Sequence, residues 1–77
     1  MAGSEFLRGL FVPKSASVSG RVGPNTTGEV VVHVRGGTEY YFARPADGHE
    51  VIEKGHQVLI VNAAPGRILY VTALEVI

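Results

Sequence analysis

Residues 29–44, EVVVHVRGGTEYYFAR, decide the fold class. Over 29–35, Val30, Val32 and Val34 fall on one face and Glu29, His33 and Arg35 on the other, with Val31 the exception. A repeat of two belongs to a strand with one buried face. Gly36 and Gly37 follow, and both tolerate the positive φ that a two-residue hairpin loop demands. Residues 38–44, TEYYFAR, return as a strand rich in β-formers. The pattern predicts an antiparallel pair turning at Gly36-Gly37. Alternation puts Tyr41 and Ala43 on one face of the returning strand, and Tyr40 and Phe42 on the other.

Working outward, Pro45 ends that strand, and residues 46–55 form a polar connection containing Gly48 and Gly55. It is too short and too broken by glycine for a real helix. Residues 57–63, QVLIVNA, read as a further strand. Ala64-Pro65-Gly66-Arg67 suits a type II turn, with Pro second and Gly third. Residues 68–76, ILYVTALEV, form the last strand. Upstream, 15–22, SASVSGRV, alternates weakly as a first strand, and 23–28, GPNTTG, link it to the second. Five short strands joined by frequent turns predict an all-β protein, a small five-stranded barrel without a significant helix. Closure also removes the sheet edges that make such a chain prone to aggregate.

Seventy-seven residues allow one domain. The first six, MAGSEF, read as a cloning scar, because Gly-Ser and Glu-Phe are what two common restriction sites encode. Residues 7–17 are expected to be a partly flexible lead-in, and 18–77 the barrel. With no cysteine, neither disulfides nor thiolate metal sites can support so small a core. The 45% apolar content must therefore supply it. Seven basic and seven acidic residues give a formal net charge of zero, which argues against strong binding to nucleic acid or anionic membrane. No apolar run approaches the roughly 18 residues of a membrane span.

Catalytic and metal signals are weak. No serine lies in a Gly-x-Ser-x-Gly setting. His33, His49 and His56 lack a ligand spacing such as His-x-x-x-His, and Asp47 is the only aspartate. Asn25-Thr26-Thr27 matches an N-glycosylation sequon, but such triplets are common in turns, and a turn between strands one and two is much the better reading. Lys54, in EKGHQV at 53–58, sits where lipoyl- and biotinyl-carrying domains present their attachment lysine. Its neighbours Glu53 and Gly55 do not match that setting. Gly55 at a positive-φ turn explains the stretch without a cofactor. No enzyme activity and no cofactor is expected. The cluster Tyr40-Tyr41-Phe42 between Arg35 and Arg44 suggests a second class of function, a nucleic-acid-binding module. Tyr40, Phe42, Arg35 and Arg44 would form its site, and the zero net charge opposes it.

The ordered series SGRVG, TTGEVVV, GGTEYYFA, VIEKGHQVLIV and GRILYV resembles the soluble C-terminal domain of NfeD-like membrane proteins. That family runs Gly-x-Val, a short loop, Tyr-x-Ala, then Ile-x-x-Gly-x-x-Val-x-Val-Val and a terminal Leu-x-Val. Tyr41-Phe42-Ala43 fills the Tyr-x-Ala place, 52–61 the long stretch, and Leu69-Tyr70-Val71 the last. The segment joining the first two strands is shorter than the family's. The resemblance implies an OB-type barrel whose usual helix between strands three and four is reduced to a loop. It also implies a parent anchored in a membrane by segments outside this chain, with this domain soluble on the cytoplasmic side. The implied partner is a flotillin- or stomatin-like scaffold protein, or another part of the parent. A barrel this small leaves surface patches as the place to bind. The expected partner site is an aromatic face, Tyr40 with Tyr70, flanked by His49, Glu50 and Lys54 of the 46–55 connection.

Overall fold

In the computed structural model, which describes residues 15–74, alternation is realised as five strands: β1 (Ser15–Gly20), β2 (Gly28–Val34), β3 (Gly37–Pro45), β4 (Gln57–Ala64) and β5 (Ile68–Ala73). They close into a barrel in the order β1-β2-β3-β5-β4, with β4 pairing back onto β1. All pairs are antiparallel except β3 with β5, which run parallel. A parallel pair needs a crossover, and here residues 46–56 and β4 supply it. This is the OB-like barrel, and turns and isolated bridges occupy the place of a helix. The expected scar, residues 7–14 of the lead-in and the end of the expected fifth strand lie outside the described residues. Ser15, Ala16 and Ser17, the rest of that lead-in, are strand: all three pair with β4, and Ser17 also with β2.

Inward residues from every strand fill the interior. Ala16, Val18, Val30, Val32, Tyr41, Ala43, Val58, Leu69 and Val71 are buried, and the loop residues Val22 and Ile52 plug one side. Full burial of each large aliphatic is worth about 1.5–3 kcal/mol. β-branched valines suit this core because they have few rotamers to lose on a pleated surface. Val22 and Ile52 exchange both backbone hydrogen bonds, at 2.9 Å each, which ties the 21–27 loop to the crossover.

Two turns and one strand depart from the sequence reading. The β2–β3 hairpin turns at Arg35 and Gly36, because Val34 pairs with Gly37. Gly36 has φ 86°, while Arg35 does not enter the positive-φ region. A single positive φ at the second loop position is a type II signature rather than a primed one. The β4–β5 turn contains the expected Gly66 at φ 87°, but Arg67 also adopts φ 61°. In β4, the pairing steps from Ile60↔Val71 to Asn62↔Tyr70, leaving Val61 as a bulge. Simple alternation would turn Asn62 inward. The extra residue turns it out, so a polar amide is not buried.

Candidate functional site

β3 carries the outer surface that matters most. Tyr40 and Phe42 point out of the barrel, 55% and 53% exposed, while Tyr41 between them is 1% exposed. Arg44 continues the outer row. Across the parallel pair, Phe42 stands beside Ile68 and Arg44 beside Tyr70. Both β5 residues are half-buried, since neighbouring outer side chains cover part of them. On the other side of β5, Tyr70 faces Asn62 and Thr72 faces Leu59. With Leu59 39% and Val61 57% exposed, apolar groups reach across three strands: Tyr40 and Phe42, then Ile68 and Tyr70, then Leu59 and Val61.

Arg67 fixes the end of this face. Its left-handed backbone brings its carbonyl 2.8 Å from the Phe42 N–H, which donates to it. Its guanidinium donates to the Tyr40 carbonyl at 2.9 Å and to Glu39 Oε1 at 3.1 Å. The same group lies 4.3 Å from the Tyr41 ring centroid. Burial pushes the Tyr41 hydroxyl above its ordinary pKa; Arg67 opposes the shift and Glu39 adds to it. β5 meets β3 only from Phe42 onward. Arg67 therefore covers part of the β3 edge that β5 leaves open.

The crossover is pinned at two places. Asp47 Oδ1 accepts from the His49 and Glu50 backbone N–H groups at 2.8 and 2.9 Å. These bonds favour the ionised carboxylate and hold its pKa below the ordinary value. Glu50 Oε1 in turn accepts from Thr72 Oγ1 at 3.0 Å and the Ala73 N–H at 3.1 Å. Farther on, Gly55 N–H donates to the Val18 carbonyl and Val18 N–H to the His56 carbonyl, which docks that turn on β1.

These contacts sort the residues expected from sequence. Tyr40 and Tyr70 share the outside of the β3–β5 pair, but Tyr70 faces Arg44, four residues beyond Tyr40, or about 13 Å along the strand. Glu50 is beside Tyr70's end of β5, with its carboxylate committed to Thr72 and Ala73; His49 is exposed on the adjoining turn. Lys54 lies elsewhere, on the turn docked to β1, a strand that does not neighbour β3. Of the residues considered for nucleic acid, Tyr40, Phe42 and Arg44 share one row, and Arg35 is in the hairpin turn.

The expected partner face omitted Phe42, Ile68 and Val61. Phe42 was visible from alternation, since it shares the parity of Tyr40. Ile68 joins the face only through the parallel pairing, and Val61 through the bulge.

Two shallow depressions stand out on the surface of the described residues. One, of about 350 Å³, is lined by Thr27, Phe42, Arg44, Gly66 and Ile68. The other, of about 300 Å³, lies over the 21–27 loop, bounded by Arg21, Asn25, Thr26 and Val51 among others. No group of three or more metal-ligating side chains occurs among the described residues. No helix among them is long and apolar enough to cross a membrane.

A family model described as the NfeD C-terminal domain matches residues 15–72. Among solved structures, the chain is similar to the soluble domain of the NfeD protein YuaF from Bacillus subtilis, determined in solution. The two are 31% identical with a TM-score of 0.67, over 97% of this chain and 82% of that one. Among proteins with curated descriptions, none gives a significant match.

Proposed function

The chain belongs to the NfeD C-terminal domain family, and from that premise we propose that it is a non-catalytic protein-interaction module that docks a partner on the outside of β3 and β5. The observation carrying this reading is the exposure of two consecutive outward aromatics, Tyr40 and Phe42, at 55% and 53%. Large aromatics are rich in contact area and lose little rotamer freedom, so they dominate the centres of protein interfaces. Among the described residues, the two groups held away from their ordinary pKa are a core tyrosine and a turn-capping aspartate, each shifted by its structural place in the fold.

By family analogy the parent is a membrane protein, and the partner is a flotillin- or stomatin-like scaffold or another part of that parent. The test is a titration of the isotope-labelled chain with such a scaffold protein. Amide shifts should centre on Tyr40, Phe42, Ile68 and Tyr70, and Lys54→Ala should leave the affinity unchanged. Shifts confined to β1 and the Lys54 turn would remove this face from consideration.

A further inference from the structure

We infer that the depression between Phe42 and Ile68 recognises a short acidic peptide segment of the partner, seating one apolar side chain there and placing the neighbouring carboxylate on Arg44. This rests on the reading of the β3–β5 face as the docking surface, and adds the chemistry of what it holds.

Charge complementarity points to this occupant. Arg21 pairs with Glu53 at 3.2 Å and Arg67 with Glu39 at 3.1 Å. Arg44, on the same outer row as Phe42, makes no such pair among the described residues. Its one side-chain bond is a long 3.5 Å contact to Thr27 Oγ1. A guanidinium has five N–H donors in a planar fork that matches a carboxylate. Here that fork stands at the rim of a depression of about 350 Å³ whose other lining residues are Phe42, Ile68, Gly66 and Thr27. Gly66 offers no side chain to fill it. An aliphatic side chain can lie between the Phe42 ring and Ile68, and an adjacent acidic residue then falls within reach of Arg44.

A phosphate backbone fits less well. Binding a nucleic-acid strand takes a track of cations, and the depression has one arginine on a chain of zero net charge. Glu29, paired with Phe42 across the β2–β3 ladder, adds negative charge on the far side of the aromatic. Its carboxylate is turned toward β1, where it accepts from Ser19 Oγ at 2.9 Å. That leaves the Arg44 side open to a short acid but unfavourable to a polyanion crossing the whole face.

The experiment titrates the labelled 77-residue chain with three blocked hexapeptides, acetyl-Ser-Gly-Leu-Glu-Gly-Ser-amide and its Glu→Gln and Glu→Lys versions. The Leu-Glu peptide should shift Phe42, Arg44, Gly66 and Ile68, and bind about three- to fivefold tighter than Leu-Gln. Leu-Lys should be weakest. Arg44→Gln should erase the preference without moving the melting temperature, and Phe42→Ala should weaken all three peptides. Equal affinities, shifts elsewhere, no shifts at about 10 mM peptide, or a preference surviving Arg44→Gln would overturn the inference. So would an oligothymidine that shifts the same residues at lower concentration. Scaffold binding that is lost in Phe42→Ala but indifferent to Arg44→Gln overturns this inference and leaves the docking face standing. Scaffold binding that resists both Tyr40→Ala and Phe42→Ala removes the face, and the inference falls with it.

Discussion

Each face of β3 carries a tyrosine, and the two are placed in opposite surroundings. On the inside, Tyr41 and Ala43 are 1% and 0% exposed; on the outside, Tyr40 and Phe42 are more than half exposed. The inner tyrosine is enclosed by the core and by Arg67 over its ring. The outer pair stands in one row with Arg44, with Ile68 beside Phe42, and leaves ring area open. An aromatic cluster in a sequence is therefore two populations, and strand parity separates them. One population stabilises the barrel, and the other is the one proposed to meet a partner.

Predictions can break this division from the inside first. Tyr41→Ala removes a large buried ring and should cost about 3–5 kcal/mol, enough to leave so small a domain largely unfolded at 37 °C by circular dichroism. A near-native melting curve would mean that the inner face does not support the fold. Gly28 tests the same interior at its tightest point. A Cβ there would lie 2.5 Å from the Arg21 carbonyl oxygen and 2.7 Å from Val22 Cα, which is backbone that cannot swing aside. Gly28→Ala should cost about 2–3 kcal/mol, read as a lowered urea midpoint. An unchanged midpoint would show that the 21–27 loop is not pressed against β2.

The hairpin comes next. Gly36 has φ 86°, and a Cβ placed there would meet nothing within 4 Å, so the penalty for a side chain is conformational alone. Gly36→Val should cost about 1–3 kcal/mol. Gly36→Asn, which tolerates positive φ, should recover most of that loss; equal melting of the two variants would place the turn elsewhere. The smallest effect belongs to the outer crossover. Asp47 is held below its ordinary pKa of 3.8 by the His49 and Glu50 amides. A depressed carboxyl contributes above its unfolded pKa and loses that contribution as pH falls through the folded one. The His49 and Glu50 amide resonances should therefore move together below about pH 4. Amides unmoved down to pH 2 would contradict the capping role.

Much of the barrel was legible because alternation reports the inside directly. Val30, Val32, Tyr41 and Ala43 all have the parity that burial requires. The turn position was not legible, for a related reason. Moving a two-residue loop from Gly36-Gly37 to Arg35-Gly36 shifts the pairing by two residues. Inward residues then still face inward ones, so parity cannot tell the two registers apart. Arg67's left-handed backbone had no local signal either, since the preceding Pro-Gly already completes a turn. The Val61 bulge did leave a trace. Asn62 is a polar residue where unbroken alternation would bury it, and a bulge is one way to avoid that cost.

The candidate face was half legible. Parity gave the outward direction of Tyr40, but its neighbours depend on β5 lying parallel to β3 across a crossover, a non-local fact. That pairing brings Ile68 beside Phe42 and sets Tyr70 beside Arg44. Its place in the 46–55 connection groups Lys54 with the face, yet the backbone bonds of Gly55 and His56 with Val18 hold that turn against β1.

The central claim, that one face of β3 maintains the fold and the other meets the partner, is tested most directly by an alanine series at 40, 41 and 42. Each variant is measured twice, for melting temperature and for affinity toward the scaffold protein. The account predicts that Tyr40→Ala and Phe42→Ala change stability by less than about 0.5 kcal/mol while weakening binding tenfold or more, and that Tyr41→Ala unfolds the chain. If Phe42→Ala melts like Tyr41→Ala, or if Tyr40→Ala and Phe42→Ala both bind like the parent chain, the division between the two faces is wrong.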